Sequence, residues 1–158
     1  MPFPATVKSD CLIATHPVVF LNAPAFGTLG LPFSEIVRVG DMLYLSGRLG
    51  NLPGTLTLTP GGIEAEARQT LQNIKTSLEA HGYSVAHIVK CTVMLADMND
   101  WPAFNAVYTT FFAPPYPSRS AFGTNGLAVG GCLELDVIAC ADHKAIPIPN
   151  HNPEGDIQ

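Results

Sequence analysis

The chain has 158 residues and a mass of 16.8 kDa, enough for one domain with its own core. Hydrophobic residues make up 47% and the mean hydropathy is +0.23, which excludes a largely disordered chain. The net charge of -5 with 8 Lys and Arg argues against a nucleic-acid binder or a polybasic membrane patch, and a charged share of only 13% points to surface hidden in an oligomer.

Taken in chain order, the first apolar stretch runs from Cys11 to Phe26, broken by His16, Pro17, Asn22 and Pro24, and cannot span a membrane. Lys8 is offset by Asp10, so no targeting segment is expected, and residues 1–21 read as an N-terminal extension. Gly40-Asp41 lies between Ile36-Val37-Arg38-Val39 and Met42-Leu43-Tyr44-Leu45-Ser46, which predicts a tight hairpin. Pro53-Gly54 and Pro60-Gly61-Gly62 bound a loop. Ile63, Ala67, Leu71, Ile74 and Leu78 then recur at helical spacing, with Glu64 and Glu66 near the positive end and Gly82 placed as a left-handed cap.

From His87 to Ala96 the period becomes two, with Val89, Cys91, Val93 and Leu95 on one face. A second helix follows, with Asn99 or Asp100 as its cap and Pro102 in its first turn. Trp101, Phe104, Tyr108 and Phe111 form its apolar stripe, and Pro114-Pro115-Tyr116-Pro117 stops it. Two strand-like runs, Arg119 to Gly123 and Cys132 to Cys140, flank the glycine-rich Gly126 to Gly131. Residues 144–158, with Ile-Pro-Ile-Pro, read as a flexible C-terminal tail, leaving a single domain over 22–143. The predicted class is α+β, a mixed sheet with two helices packed on one face. Its other face needs cover, and oligomerisation is the simplest source.

Cys11, Cys91, Cys132 and Cys140 form no CxxC, and Cys132 and Cys140 stand at the two ends of one strand, too far apart to bridge. They read as reduced thiols of a cytoplasmic protein. The five histidines are scattered, so no metal site is expected. In the last strand, Leu133, Leu135, Val137 and Ala139 share one face, and Glu134 and Asp136 the other. Those carboxylates either meet solvent or include a general base. Arg119 opens the preceding strand in a charge-poor region. It reads as a surface cation, as half of a structural ion pair with a carboxylate on a neighbouring strand, or as a guanidinium fork for a substrate carboxylate.

Pro117-Ser118-Arg119-Ser120-Ala121 followed by Leu133-Glu134-Leu135-Asp136-Val137-Ile138-Ala139 resembles the signature of the YjgF/RidA (endoribonuclease L-PSP-like) family, including the interval from Arg119 to Glu134. The resemblance runs back through Asn22-Ala23-Pro24-Ala25, Leu45-Ser46-Gly47, Glu66 to Lys75, Val89 to Val93, Asn99-Asp100-Trp101 and Asn105 to Tyr108. It implies a chorismate-mutase-like fold assembled as a homotrimer with sites between subunits. It also implies hydrolysis of enamine and imine intermediates of the 2-aminoacrylate and 2-iminobutanoate type to 2-keto acids and ammonia. Carried over by position, Arg119 binds the carboxylate and Glu134 orients or deprotonates water. Ser46, Gly47, Asn105 and Phe33 line the pocket. No cofactor is implied, because a protonated imine is electrophilic enough for water to attack.

Three positions depart from the family pattern. Leu31-Pro32-Phe33 replaces a GPY-like segment and lacks its hydroxyl, and Ala121 replaces a frequent cysteine. Arg48 stands where an uncharged amide is usual, and either favours dicarboxylates or pairs with a neighbouring acid. Two other readings remain open at this level: a non-catalytic trimer that binds small carboxylic metabolites, and a specialised catabolic hydrolase on the same fold. A ribonuclease reading has little support from the acidic balance.

Overall fold

Gly40 adopts φ 57° between two short runs of β-branched and apolar residues, and the chain reverses there as the turn chemistry predicts. A computed structural model describes residues 16–142. The remaining residues, with Lys8, Cys11 and the C-terminal tail from Lys144, lie outside that range. Strand β1 (Val18–Leu21) pairs antiparallel with β2 (Ile36–Val39), which pairs with β3 (Met42–Arg48). A one-turn helix, α1 (Pro24–Gly27), sits between β1 and β2. Sequence reading leaves β1 inside the N-terminal extension; four residues of Val-Val-Phe-Leu show no alternation to mark a strand.

Helix α2 (Gly62–Ala80) buries Ala67, Leu71, Ile74 and Leu78, the predicted stripe, and Gly82 caps it at φ 82° with the Tyr83 amide donating back to the Leu78 carbonyl. Glu64 lies in the first turn, but Glu66 faces inward and accepts from the Cys132 amide at 2.8 Å, so it ties α2 to the last strand rather than serving the dipole. Strand β4 (Ile88–Leu95) carries an irregularity between Ile88 and Lys90. It turns Ile88 into the core in place of Val89, while Cys91, Val93 and Leu95 lie inside as expected. Helix α3 (Trp101–Phe111) buries Phe104, Val107 and Tyr108 and has Pro102 in its first turn. The cap expected at Asn99 or Asp100 is supplied one turn earlier, where the Asp97 carboxylate accepts from the Asn99 amide at 2.8 Å.

Strands β5 (Ser118–Gly123) and β6 (Leu133–Cys140) complete a six-stranded sheet in the order β1-β2-β3-β6-β4-β5. Every pair is antiparallel except β4 with β5, the parallel pair that α3 connects. The mixed α+β class is therefore as expected. One core cluster joins Ile36, Leu43, Leu45, Val93, Leu95, Leu135 and Val137 of the sheet to Leu71, Ile74, Leu78 and Phe104 of the helices, so both helices cover one face. Among the described residues nothing covers the opposite face. Phe20 (66% exposed), Tyr44 (45%) and Phe122 (48%) stand on it. Among the described residues no helix is long and apolar enough to cross a membrane.

Candidate functional site

Arg119 lies in edge strand β5, in register with Cys91 of β4, whose side chain is in the core. Directly opposed residues share a face, so Arg119 points to the helix-covered side. There its guanidinium carbon is 4.6 Å from the Tyr108 ring centre, 5.0 Å from Trp101 and 5.9 Å from Phe104. Among the described residues Arg119 forms no ion pair, so the structural-pair alternative is not realised. Asn105 is half-buried on α3, one turn beyond Trp101.

Glu134 stands on the uncovered face, between the inward Leu133 and Leu135 and on the same side as Asp136. Burial raises its carboxyl above the ordinary value, and the negative charge of Asp136 adds to the rise. Its carboxylate rests over the bare Cα of Gly47, where a Cβ would overlap it, so glycine is required for this close approach. Beside it, the Ser46 hydroxyl donates to the Ser34 carbonyl at 2.7 Å and fixes the loop that carries Phe33. Phe33 is 48% exposed and packs on Phe26 with ring centres 6.0 Å apart.

The predicted site residues thus fall into two groups. Phe33, Ser46, Gly47 and Glu134 gather around β3 and β6; Arg119 and Asn105 gather around β5 and α3. Strand β4 separates β5 from β6, so Arg119 and the acidic residues are not on neighbouring strands. Two strand spacings put their backbones about 10 Å apart sideways, with the side chains on opposite faces. Within one chain the arginine and the glutamate do not meet.

Arg48, the departure that allowed two readings, points into the fold. Its guanidinium donates to Glu35 at 2.8 Å and to Ser77 at 2.7 Å, and it lies 4.8 Å from the Phe26 ring centre. It pairs with an acid, the second of those two readings. The sequence gives no warning of Glu35, which is 3% exposed and accepts from the Ala23 amide, the Ser77 hydroxyl and Arg48, with His81 at 3.2 Å. Burial pushes its carboxyl up, but Ser77, Ala23, His81 and Arg48 together outweigh that and hold it below the ordinary value. Its folded-state value is lowered, so its contribution to stability is present at neutral pH and is lost as pH falls through and below the ordinary carboxylate value.

Arg48→Met leaves that buried carboxylate without its counter-charge. It should lose about 3–5 kcal/mol in urea unfolding at neutral pH, with the deficit shrinking under acid conditions as Glu35 takes up a proton. An equal deficit at both pH values would show that packing, and not charge, sets the loss.

Among the described residues no three His, Cys, Asp or Glu side chains gather as metal ligands, and Cys91, Cys132 and Cys140 are free. A groove of about 720 Å³ between Val85, Ile88, Phe111, Phe112, Tyr116 and Pro117 is lined by neither Arg119 nor Glu134.

The family model described as Endoribonuclease L-PSP matches residues 25–141. A Capra hircus protein named 2-iminobutanoate/2-iminopropanoate deaminase is 43% identical over 121 residues, covering 77% of this chain and 88% of its own length. The Homo sapiens protein of the same name is 36% identical over the same shares. Among solved structures, RidA from the Antarctic bacterium Psychrobacter sp. superimposes with a TM-score of 0.66 at 37% identity, covering 70% of this chain and 89% of that one. E. coli TdcF with bound serine gives 0.64 at 33% identity, covering 70% and 88%. With a family match across nearly the whole described fold and a relative 43% identical over 77% of its length, the chain belongs to the endoribonuclease L-PSP (YjgF/RidA) family.

Proposed function

We propose that this protein hydrolyses small 2-imino acids to 2-keto acids and ammonia, at sites completed between copies of the chain. The observation that carries this reading is the division of the site. An arginine with no carboxylate partner among the described residues lies on one face, and a glutamate of raised proton affinity, seated on a glycine, lies on the other. Each half lacks what the other offers, and a neighbouring copy is the economical way to bring them together. The deaminase names of the Capra hircus and Homo sapiens relatives support the reaction class, and serine bound to TdcF supports a ligand of that size.

In this reading Arg119 of one copy grips the substrate carboxylate through two parallel N–H donors. Glu134 of the neighbouring copy takes a proton from a water molecule as that water's oxygen bonds to the imine carbon. The resulting carbinolamine collapses: Glu134 returns its proton to nitrogen, the C–N bond breaks and ammonia leaves, and the hydroxyl gives its own proton to the freed Glu134 carboxylate as the carbonyl of the 2-keto acid forms. Water is the only co-reactant, and no electron transfer is involved. Phe33 and Asn105 border the substrate, and no cofactor is called for.

Coupling a threonine or serine dehydratase to the protein and following imine decay with 2-keto acid release tests the reading. Faster release supports hydrolysis. Binding of 2-keto acids without acceleration would make the protein a metabolite-binding module and overturn the catalytic assignment.

The uncovered sheet face and the family resemblance together predict a homotrimer of roughly 50 kDa, three times 16.8 kDa. Light scattering at micromolar concentration checks this. A monomer would remove the shared site, whereas a dimer would keep a shared site but refute the trimer.

A further inference from the structure

Helix α3 places Trp101, Phe104 and Tyr108 at i, i+3 and i+7, a single stripe along one side of the helix. Arg119 reaches that stripe from the sheet and meets all three rings within 4.6–5.9 Å of their centres. Among the described residues no acidic side chain pairs with it. The Tyr108 hydroxyl donates to the Cys91 sulfur at 3.6 Å. Burial pushes the Cys91 thiol up to about 11, and burial with Cys91 raises the Tyr108 phenol further, so both stay protonated at neutral pH. Arg119 is therefore steadied by ring faces and not by an anion.

That distinction matters for a residue expected to hold a carboxylate. A flexible arginine can be fixed by an acidic neighbour, but the ion pair uses the same in-plane N–H donors that a bidentate ligand needs. Aromatic rings attract the cation through their negative faces and leave those donors unspent. Among the rings, an indole offers the strongest such surface. We propose that Trp101 is a positioning residue of the anion site, holding the Arg119 guanidinium while keeping its hydrogen-bonding edge open for a substrate carboxylate. The proposal rests on the reading that Arg119 binds that carboxylate. It accounts for an arginine that is half-buried and, among the described residues, without an ion pair.

Trp101 is the only tryptophan in the chain, so its emission reports directly on this contact. Titrating the wild-type protein with 2-oxobutanoate, with free tryptophan as the absorption control, should give a saturable emission change. Its midpoint should equal the affinity from calorimetry, and Arg119→Ala should abolish both signals. Trp101→Leu keeps an apolar side chain without a ring and should weaken 2-oxobutanoate binding about 5- to 30-fold, whereas Trp101→Phe should stay within about 3-fold. In the coupled assay the leucine variant should show the same rise in KM. Calorimetric binding with unchanged tryptophan emission would overturn the proposal, as would equal losses in the leucine and phenylalanine variants. A wild-type protein that neither binds 2-oxobutanoate nor turns over imine would refute the underlying site assignment, and this proposal with it. Should the leucine variant not fold, the wild-type emission titration decides alone.

Discussion

Replacing Arg119 with lysine is expected to reduce imine hydrolysis by on the order of 10²-fold, nearly as far as replacement with alanine, with assembly intact. Lysine preserves the positive charge, so a role limited to attraction predicts near-normal turnover. The guanidinium differs in shape: two parallel donors match the two oxygens of a carboxylate, and an ammonium cannot reproduce that fork. The surroundings of Arg119 strengthen the contrast. Its planar group lies among the faces of Trp101, Phe104 and Tyr108, a setting that suits a weakly hydrated plane better than a compact, strongly hydrated ammonium. On the proposed mechanism, losing the fork would shift the imine carbon relative to the water that a neighbouring copy's Glu134 is proposed to activate. A displacement of about 1 Å there is enough for the expected loss. Steady-state rates in the coupled assay, with light scattering as the control for assembly, measure the effect. Wild-type-like activity in Arg119→Lys would reduce Arg119 to a point charge.

The elements that sequence reading finds are those whose pattern is local. The Gly40-Asp41 turn, the α2 stripe of Ala67, Leu71, Ile74 and Leu78, and the alternation of β6 each follow from a few adjacent residues and a fixed period. What it misses depends on partners distant in the chain. Glu35 precedes a short strand and reads as a solvated carboxylate; only Arg48 and Ser77, 13 and 42 residues away, make it a buried ion. Glu66 likewise fits a helix start until the Cys132 amide, 66 residues on, claims its side chain.

The site shows the same limit. Arg119 and Glu134 are singled out by the family resemblance, since residue type alone leaves them open to a surface or structural reading, and their faces depend on pairing register. β5 joins β4 in parallel with Arg119 opposite Cys91, and β6 inserts between β3 and β4. Neither fact follows from the hydrophobic pattern of any one segment. A sheet strand shifted by one residue would invert the conclusion, since every side chain would change face.

Glu134→Gln is expected to lower the chemical step by roughly 10²–10⁴-fold, the usual worth of a positioned general base, while 2-keto acid binding through Arg119 survives. Glutamine keeps the length and planar shape of glutamate, so its amide still fits over Gly47 and the half-site still forms. What it loses is the ability to accept water's proton as the C–O bond forms. The pH profile makes the assignment sharper. Burial, and then Asp136, raise the Glu134 carboxyl, so wild-type kcat/KM should fall with decreasing pH while still above the ordinary carboxylate value, as the base becomes protonated. That limb should vanish from the residual activity of Glu134→Gln. In Asp136→Asn, which removes the neighbouring negative charge, it should move to lower pH. A residue that only shaped the cleft would show neither change. Unaltered turnover in Glu134→Gln would transfer the base to another group on the uncovered face, with Asp136, two residues along β6 and on the same side, the next to replace.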